Sequence, residues 1–273
     1  AGQLLVRQSS SDLRAAARND FSAVVALQDL SPFWATGKDA AADGKLTTLW
    51  QSTRVTDYIG WLADKGSAVA TTYTDAWIAD RSSLLQSLVT ANTKDAATNP
   101  DGYLAVQGTA SGSINTRFID LASGAMVQVN HAQISPSTAP NRYVIFGDGG
   151  ANTLNGSAQE DHLYGGAGND TLNGLAGNDY LEGGTGVDTY QFTGNFGHDV
   201  IIDAGGAGII RINADVLDGG IKVTDTIWES ADGQYIYVLV GADLIIGQRT
   251  SAWAATVTDT ITIRNWHAGV GEM

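Results

Sequence analysis

Apolar side chains recur at helical spacing over residues 1–95. Three segments place them on one helix face: "SDLRAAARNDFSAVVAL", "LTTLWQSTRVTDYIGWL" and "DAWIADRSSLLQSLV". The stripe positions are Leu13, Ala17, Phe21, Val24 and Val25 in the first, Leu46, Leu49, Trp50, Tyr58, Ile59 and Leu62 in the second, and Trp77, Ile78, Arg81, Leu85 and Leu88 in the third. This pattern predicts a helical segment over residues 1–110, with a break at Ser31, Pro32 and Gly37.

Beyond residue 110 the pattern becomes typical of strands. "TRFIDL" and "AMVQVN", separated by "ASG", predict a hairpin, and "RYVIF" predicts a strand that leads into a glycine-rich stretch. Further strands are predicted at "DVIID", "GIIRI", "QYIYVLV", "ADLIIG" and "DTITIRNW". We therefore expect an α+β chain with a helical segment at 1–110, a β-hairpin and lead-in strand at 111–146, a repeat region at 147–191 and a β-rich C-terminal cap at 192–273.

The repeat region consists of five consecutive nine-residue units, "GDGGANTLN", "GSAQEDHLY", "GGAGNDTLN", "GLAGNDYLE" and "GGTGVDTYQ". Position 6 is Asn152, Asp161, Asp170, Asp179 and Asp188, and position 8 is Leu154, Leu163, Leu172, Leu181 and Tyr190. Glycine at position 1 and elsewhere lets the first six residues turn. Positions 7 to 9 then form a short strand whose middle residue points inward. Two units predict one lap of a flattened coil, a parallel β-roll with position 8 in its interior.

The charges suggest what lies at the turns of this coil. The chain carries 29 acidic and 15 basic residues, and no Lys or Arg falls between Arg142 and Arg211, a stretch with nine carboxylates. Such a surface argues against nucleic acid or an anionic membrane as partner. Backbone carbonyls and carboxylates, without His or Cys, are the ligands that Ca²⁺ prefers. The chain also has no cysteine, so no disulfide can staple it.

The region resembles the repeats-in-toxin (RTX, haemolysin-type) calcium-binding family, whose pattern is G-G-x-G-x-D-x-apolar-x. Units three and five match it fully, and unit four departs only at Leu175. The resemblance implies that each ion lies between one turn and the turn two units later. The earlier turn gives the carbonyls of positions 2 and 4 and the position-6 side chain. The later turn gives the carbonyls of positions 1 and 3 and its own Asp.

Carried onto this sequence, the resemblance implies three complete sites and two further ones. The first site uses Asp148, Gly150 and Asn152 with Gly165, Ala167 and Asp170. The second site uses Ser157, Gln159 and Asp161 with Gly174, Ala176 and Asp179. The third site uses Gly166, Gly168 and Asp170 with Gly183, Thr185 and Asp188. The further two use the turns that contain Gly177, Asp179, Gly184, Gly186 and Asp188, closed by Asp199 and Asp203. The cofactor is therefore expected to be Ca²⁺, about three to five ions. Neutral Asn152 is expected to weaken the first site, and Gln159, which replaces a turn glycine, to distort the second.

RTX proteins leave Gram-negative bacteria unfolded through type I secretion channels and fold on extracellular calcium. The resemblance thus implies a secreted protein, a transient partner in the type I secretion apparatus, and an upstream effector domain of the same chain. The sequence has no apolar run long enough for a transmembrane segment and no signal peptide at its start. It starts without Met and ends at "AGVGEM", so we expect a piece of a longer protein. The resemblance implies a secretion signal at the extreme C-terminus, which we expect beyond Met273 or only partly present.

Enzyme activity is left open by the sequence. It contains no G-x-S-x-G and no H-E-x-x-H motif, and His131, His162, His198 and His267 lack the spacing of a zinc site. A weaker resemblance of residues 20–160 to large RTX exoproteins suggests a lipase-like hydrolase or toxin with its catalytic residues upstream. Two alternatives remain: a calcium-stiffened adhesin module, although five repeats are few for a stalk, and an enzyme within residues 1–110.

Overall fold

The computed structural model describes residues 2–4, 10–30, 33–35, 61–62, 73–93, 102–132, 139–203 and 208–266. The chain forms two compact units, Ala1–Val106 and Gln107–Met273, with their boundary inside the strand Leu104–Gly112. The finer division at residues 146 and 191 stays a prediction, because both positions lie within the second unit.

The described part of the first unit contains three helices and a small sheet. The helices are α1 (Ser10–Asn19), α2 (Phe21–Gln28) and α3 (Asp75–Thr93), and strand β1 (Gly2–Leu4) pairs antiparallel with β2 (Phe33–Ala35). Thr74 caps α3, because its Oγ1 accepts a hydrogen bond from the N–H of Trp77 at 3.0 Å.

The first apolar stripe of the sequence spans two helices that meet at Asp20. Leu13 and Ala17 on α1 and Phe21 and Val24 on α2 are all buried in one cluster. Of the second stripe only Leu62 lies within the described residues; it is helical as predicted, but 46 % exposed, so its assignment to the buried face was wrong. The buried residue of this turn is its neighbour Trp61, which the stripe did not include. The Trp61 ring lies 5.5 Å from that of Phe21, so it belongs to the same core.

A buried arginine satisfies the carbonyl end of α2. Arg81, 4 % exposed on α3, donates from Nε to the carbonyl of Leu27 at 3.0 Å and from Nη2 to that of Gln28 at 2.7 Å. The last carbonyls of a helix have no partner within it, so this side chain both bonds them and complements the helix dipole. The sequence placed Arg81 on the apolar stripe of its helix, and this contact explains why a charged residue stands there.

The second unit is built from two sheets. The larger contains β3 (Leu104–Gly112), β4 (Asn115–Asp120), β5 (Ala125–Ala132), β6 (Asn141–Phe146), β8 (His162–Ala167), β10 (Tyr180–Thr185), β12 (His198–Ile202), β15 (Ile221–Lys222), β16 (Ile227–Glu229), β17 (Tyr235–Val240), β18 (Asp243–Arg249) and β19 (Val257–Ile263). The smaller contains β7 (Thr153–Ser157), β9 (Thr171–Leu175), β11 (Thr189–Phe192), β13 (Ile209–Ile212) and β14 (Asp215–Val216). The chain is thus mainly β with helices at its start, the α+β class that the sequence predicts.

Strands of the repeat region alternate between the two sheets and form a parallel coil. In the larger sheet β6, β8, β10 and β12 are parallel neighbours, and in the smaller sheet β7, β9, β11 and β13 are. His162 pairs with Tyr180, and Thr153 pairs with Thr171, so one lap takes 18 residues, or two repeats. The last lap takes 20, because Tyr180 pairs with Val200. This is the predicted β-roll.

The interior of the β-roll is filled by position 8 of every repeat. Leu154, Leu163, Leu172, Leu181 and Tyr190 are each no more than 1 % exposed. The core continues into the C-terminal strands, where Tyr235, Tyr237, Leu244, Ile246 and Ile261 join the same cluster. The antiparallel strands β17, β18 and β19 extend the larger sheet, with β19 lying parallel beside β12.

The two sheets differ on their outer surfaces. On the larger sheet Phe146 and Tyr164 are buried, with their rings stacked at 5.0 Å and 8°. On the smaller sheet the corresponding positions are polar, for example Thr153, Asn155 and Thr171. Within the part of the chain that the structure describes, no helix is long and apolar enough to cross a membrane.

Candidate functional site

The carboxylates at position 6 are buried at the turns of the coil. Asp161, Asp170, Asp179 and Asp188 are at most 2 % exposed, as is Asp199, which follows them on the next lap. A buried carboxylate normally has a cationic partner, because desolvation of an ion is costly. Among the described residues, no Arg or Lys forms an ion pair with any of these five.

These carboxylates form two ladders along the coil. In one, Oδ1 of Asp179 accepts the backbone N–H of Asp161 at 2.8 Å, and Oδ1 of Asp199 accepts that of Asp179 at 2.7 Å. In the other, Oδ1 of Asp170 accepts the N–H of Asn152 at 2.7 Å, and Oδ1 of Asp188 accepts that of Asp170 at 2.9 Å. Each aspartate is therefore held by the lap before it, which explains why the Asp recurs in register with the strands.

The second oxygen of three of these carboxylates is left unbonded. Oδ2 of Asp170, Asp179 and Asp188 is buried and makes no hydrogen bond within the described residues. A buried charged oxygen without a partner is destabilising by several kcal/mol in general, so such atoms are rare in folded proteins unless an ion binds them. The orphaned oxygens therefore fit a cation that the protein chain itself does not supply.

Backbone carbonyls of the following lap face the same points as the position-6 side chains. A Cβ built on Gly156 would lie 2.5 Å from both Oδ2 of Asp161 and the carbonyl oxygen of Gly174. A Cβ on Gly165 would likewise meet Oδ2 of Asp170 and the carbonyl oxygen of Gly183. A Cβ on Gly147 would meet Oδ1 of Asn152 and the carbonyl oxygen of Gly165. These three convergences pair the same turns as the three sites implied by the sequence.

Positions 2 and 4 of successive laps also lie against each other. The carbonyls of Asp148 and Gly150 face Gly166 and Gly168, which in turn direct their own carbonyls at Gly184 and Gly186. In the other column the carbonyl of Gln159 faces Gly177. Carbonyl oxygens thus crowd each turn, and only residues without a Cβ leave room for them. Leu175 takes a position-2 place and still adopts φ 76°, in the left-handed region.

The donor set of these turns fits Ca²⁺ better than a transition metal. No group of three or more His, Cys, Asp or Glu side chains lies close enough for a metal ion in the described residues. An ion here would take most of its ligands from carbonyls, completed by the orphaned carboxylate oxygens. All are hard oxygen donors, which suit Ca²⁺, and no softer nitrogen or sulfur ligand is present at the turns.

The pKa values of the buried carboxyls are raised, as expected for carboxylates without a cationic partner. Burial raises the pKa of Asp179 from 3.8 to about 7, that of Asp188 to about 6 and that of Asp199 to about 8. Hydrogen bonds from the preceding lap oppose these shifts, and neighbouring carboxylates add to them. Burial also raises the pKa of Asp161 and Asp170. Without calcium these carboxyls therefore hold their protons to a higher pH than exposed aspartates do.

The first two units differ from the later ones in the hydrogen bonds of their position-6 side chains, whereas the predicted effect of Gln159 on the second site stays a prediction. Asn152 turns its side chain to its own turn, with Oδ1 accepting the N–H of Asp148 at 2.8 Å and Nδ2 donating to Oδ1 of Asp148 at 3.1 Å. In the second unit, Ser157 donates from its N–H and its hydroxyl to Asp161, so both oxygens of this carboxylate are already hydrogen-bonded. The predicted carbonyl ligands Ala167, Ala176 and Thr185 lie at the turns of the third, fourth and fifth units. The carbonyl of Thr185 accepts the N–H of Gly168, one lap earlier, at 2.9 Å.

The two candidate sites at the C-terminal end are not alike. Asp199 continues the ladder of Asp161 and Asp179. Asp203 instead hydrogen-bonds with the Tyr190 hydroxyl, which also accepts the N–H of Gly183 at 3.1 Å. The phenol oxygen occupies the place beside Gly183 where the earlier laps present a carbonyl of the next lap. Tyr190 thus serves as an interior residue and also ends this column of the coil.

Asp259 joins the same end of the coil and was missed by the sequence reasoning. Its Oδ1 accepts the N–H of Gly197 at 2.8 Å, and it is only 5 % exposed. It reaches the coil because β19 pairs in parallel with β12. A separation of 62 residues along the chain leaves no periodic signal that would have identified it.

Gly184→Ala is expected to destabilise the second unit far more than Gly194→Ala. Both glycines have left-handed φ, 98° and 66°. A Cβ on Gly184 would overlap the carbonyl oxygen of Gly166, whereas none of the protein lies within 4 Å of a Cβ on Gly194. We expect about 1–2 kcal/mol from φ alone at either position, and a further 1–3 kcal/mol at Gly184 from overpacking. Urea unfolding in millimolar CaCl₂ measures both, and equal losses would contradict the carbonyl packing described here.

Comparison with known proteins agrees with this geometry. The family profile of the RTX calcium-binding nonapeptide repeat, in four copies, matches residues 144–172 and 156–190. No curated protein matches the chain in sequence. The matched residues coincide with the laps whose carboxylates and carbonyls converge. Residues 144–190 are therefore an RTX calcium-binding repeat region, folded as a β-roll.

Proposed function

We propose that this chain is the calcium-dependent folding module of a type I-secreted exoprotein from a Gram-negative bacterium, which stabilises an upstream effector domain. The module stays unfolded where calcium is scarce and folds outside the cell. The observation that carries the proposal is the set of orphaned, buried oxygens on Asp170, Asp179 and Asp188. Folding that buries these charges is unfavourable until a cation compensates them, so ion binding becomes folding free energy.

The residues that would hold the ions follow from the convergences described above. Each of three sites takes one side-chain oxygen from position 6 and one carbonyl oxygen from the next lap. The pairs are Asn152 with Gly165, Asp161 with Gly174, and Asp170 with Gly183. The carbonyls of positions 2 and 4 complete them. A fourth ion is expected at Asp179 and Asp199, where the ladder continues. Bound calcium neutralises the carboxylates, and the ladder of hydrogen bonds orients them.

The composition of the coil supports a fold that forms only where calcium is plentiful, as outside the cell. Its strands are short, and few apolar side chains besides position 8 hold successive laps together. Such a coil depends on calcium at the 10⁻⁴–10⁻³ M level of weak extracellular sites rather than on its core. The chain has no disulfide, and bound calcium takes over its role in stabilising the fold. Such a chain can stay unfolded inside the cell, where calcium is scarce.

Calcium titration of the calcium-depleted chain tests the proposal. We expect a large gain of β signal in far-UV circular dichroism and a new melting transition as CaCl₂ rises into the millimolar range. MgCl₂ at the same concentration is the control, since Mg²⁺ demands tighter octahedral geometry and sheds its water reluctantly. Superimposable spectra and melts in chelator and in CaCl₂ would refute the folding module, and an equal response to Mg²⁺ would refute its selectivity.

A further inference from the structure

A cleft in the C-terminal strands has the features of a second binding site. Its volume is about 430 Å³, within the range of small-ligand pockets. The segment Asp215–Ile221 forms one wall, and Ser230–Asp232 with Tyr235 and Tyr237 forms the other. All of these residues belong to the second unit, downstream of the repeat region. The cleft is therefore separate from the turns that would hold calcium.

Three carboxylates surround the cleft, and no cationic side chain lines it. Asp215, Asp218 and Asp232 are exposed at its wall. The nearest lysine in sequence, Lys222, forms its ion pair with Asp225 at 2.9 Å, outside the lining. An acidic cluster on a protein surface is often no more than solvated charge. This cleft differs from such a surface because two buried tyrosines, Tyr235 and Tyr237, line it together with the carboxylates.

Tyr237 presents an unbonded hydroxyl to the cleft. Its side chain is only 1 % exposed, it lines the cleft, and its hydroxyl makes no hydrogen bond within the described residues. The hydroxyl oxygen is not among the fully buried atoms that lack a partner, so it keeps contact with the open space of the cleft. Burial and the charges of Asp218 and Asp232 raise its pKa to about 12, so the phenol stays protonated and faces those carboxylates. Gly220 keeps the wall close, since a Cβ there would lie 3.1 Å from the ring of Tyr237.

Tyr235 differs from Tyr237 because its hydroxyl has a partner. It donates to Oδ2 of Asp215 at 2.9 Å, which fixes this carboxylate at the edge of the cleft. Ser230 similarly donates to Oδ1 of Asp232 at 2.6 Å. Two of the three carboxylates are thus held in place by neighbouring hydroxyls. The cleft presents pre-positioned acceptor oxygens, with the Tyr237 phenol at its base.

We propose that this cleft binds a primary ammonium group, presented either by a small polyamine or by a lysine side chain of a peptide. An ammonium carries three donors and one positive charge, which match dispersed carboxylate and phenol oxygens. A quaternary ammonium or a sugar would need an exposed ring face, and both tyrosine rings are buried.

Binding is tested on the full chain in saturating CaCl₂ by isothermal titration with two probes. One is 1,5-diaminopentane, a free diamine, and the other is an acetylated, amidated Gly-Gly-Lys-Gly-Gly peptide. Saturable binding of either probe supports the proposal, and the tighter one identifies the source of the ammonium. Glucose and tetramethylammonium chloride serve as controls that lack the primary ammonium. Absence of saturable binding for both probes, or equal binding of a control compound, would overturn the proposal.

Three variants locate the binding. Tyr237→Phe removes only the unbonded hydroxyl and is expected to weaken binding about threefold to tenfold, and Asp218→Asn by a similar factor. Asp225→Asn removes one equal charge outside the cleft, where the side chain is 98 % exposed, and is expected to leave affinity unchanged. Equal losses for Asp218→Asn and Asp225→Asn would reduce the effect to overall charge and refute the site. The calcium-dependent melt of each variant shows whether it is folded.

Discussion

Replacing Asp170 with asparagine is expected to lower the melting temperature of the second unit in millimolar calcium by roughly 6–12 °C. Asp170 is the carboxylate that two proposed sites share. It lies on the later lap of the first site and on the earlier lap of the third. A weak site at 10 times its dissociation constant contributes about 1.4 kcal/mol, so the loss of two such contributions amounts to about 3 kcal/mol. Thermal unfolding followed by circular dichroism measures the change.

The same substitution is expected to act differently without calcium. Asparagine has nearly the shape of aspartate and can still accept the N–H of Asn152, but it leaves no buried charge. In chelator Asp170→Asn is therefore expected to match or exceed the stability of the unaltered chain. A variant that is equally destabilised in calcium and in chelator would indicate a purely structural role for Asp170.

Two further substitutions give matched controls for this experiment. Asp225→Asn removes one charge from an exposed side chain and is expected to have no effect on the calcium-dependent melt. Asn152→Asp adds a carboxylate at position 6 of the first unit, the one place where the repeat lacks it. It is expected to strengthen calcium binding at the first site, so the two position-6 variants should change the calcium midpoint in opposite directions.

The pH dependence of the calcium-free chain is expected to be opposite to that of the calcium-bound chain. Asp179, Asp188 and Asp199 have folded pKa values of about 7, 6 and 8, against 3.8 in the unfolded chain. Between these limits the folded state holds protons that the unfolded state has released. The free energy of unfolding therefore falls as pH rises. The stabilisation from these bound protons is fully present near pH 4 and largely lost above pH 8.

Calcium reverses this dependence because it binds only the deprotonated carboxylates. The stabilisation that calcium adds is expected to be small near pH 5 and largest near pH 8. Circular dichroism melts at pH 5, 6.5 and 8 measure both curves, with calcium removed on a chelating resin rather than by EGTA, which binds calcium poorly in acid. The calcium-free chain is expected to show a melting transition at pH 5 and to lose it towards pH 8. If the stability of the calcium-free chain rose with pH, the carboxylates at the turns could not be buried without a cationic partner.

Asp179→Asn with Asp199→Asn provides the control for the pH experiment. These two residues carry the highest folded pKa values of the ladder, and their neutral replacements are expected to flatten the calcium-free curve. Asp232→Asn makes a suitable comparison, since hydrogen bonds from Ser230 and Gln234 lower the pKa of Asp232. That substitution is expected to leave the slope between pH 5 and 8 unchanged.

The repeat region could be predicted from the sequence because its structure is determined within nine residues. Glycine and Leu at fixed positions specify the turn and the interior, and the structure places both as the spacing requires. The Asp of position 6 lies buried at each turn, and its role as a ligand stays a prediction. The break between α1 and α2 at Asp20 could not be predicted, since the apolar stripe continues across it. Arg81 was assigned to its helix face correctly, but its bonds to Leu27 and Gln28 depend on packing between distant segments.

The parts of the site that were missed come from long-range pairing. Asp259 reaches Gly197 only because β19 adds to the sheet beside β12. Tyr190 satisfies the apolar position 8 of its repeat, so its sequence gives no indication that its hydroxyl meets Gly183 and Asp203. The ammonium cleft is likewise assembled from three separate segments of the C-terminal strands. Side-chain chemistry of this kind appears only when the strands are in register.

The 18-residue lap also limits how such a coil can change in length during evolution. Gaining or losing one nonapeptide would move every later strand to the opposite sheet. The aromatic residues on the outer surface of the larger sheet, such as Tyr164, would then exchange places with the threonines and asparagines of the smaller one. Only duplication or deletion of a nonapeptide pair preserves both surfaces. The coil is therefore expected to lengthen or shorten among relatives in whole laps.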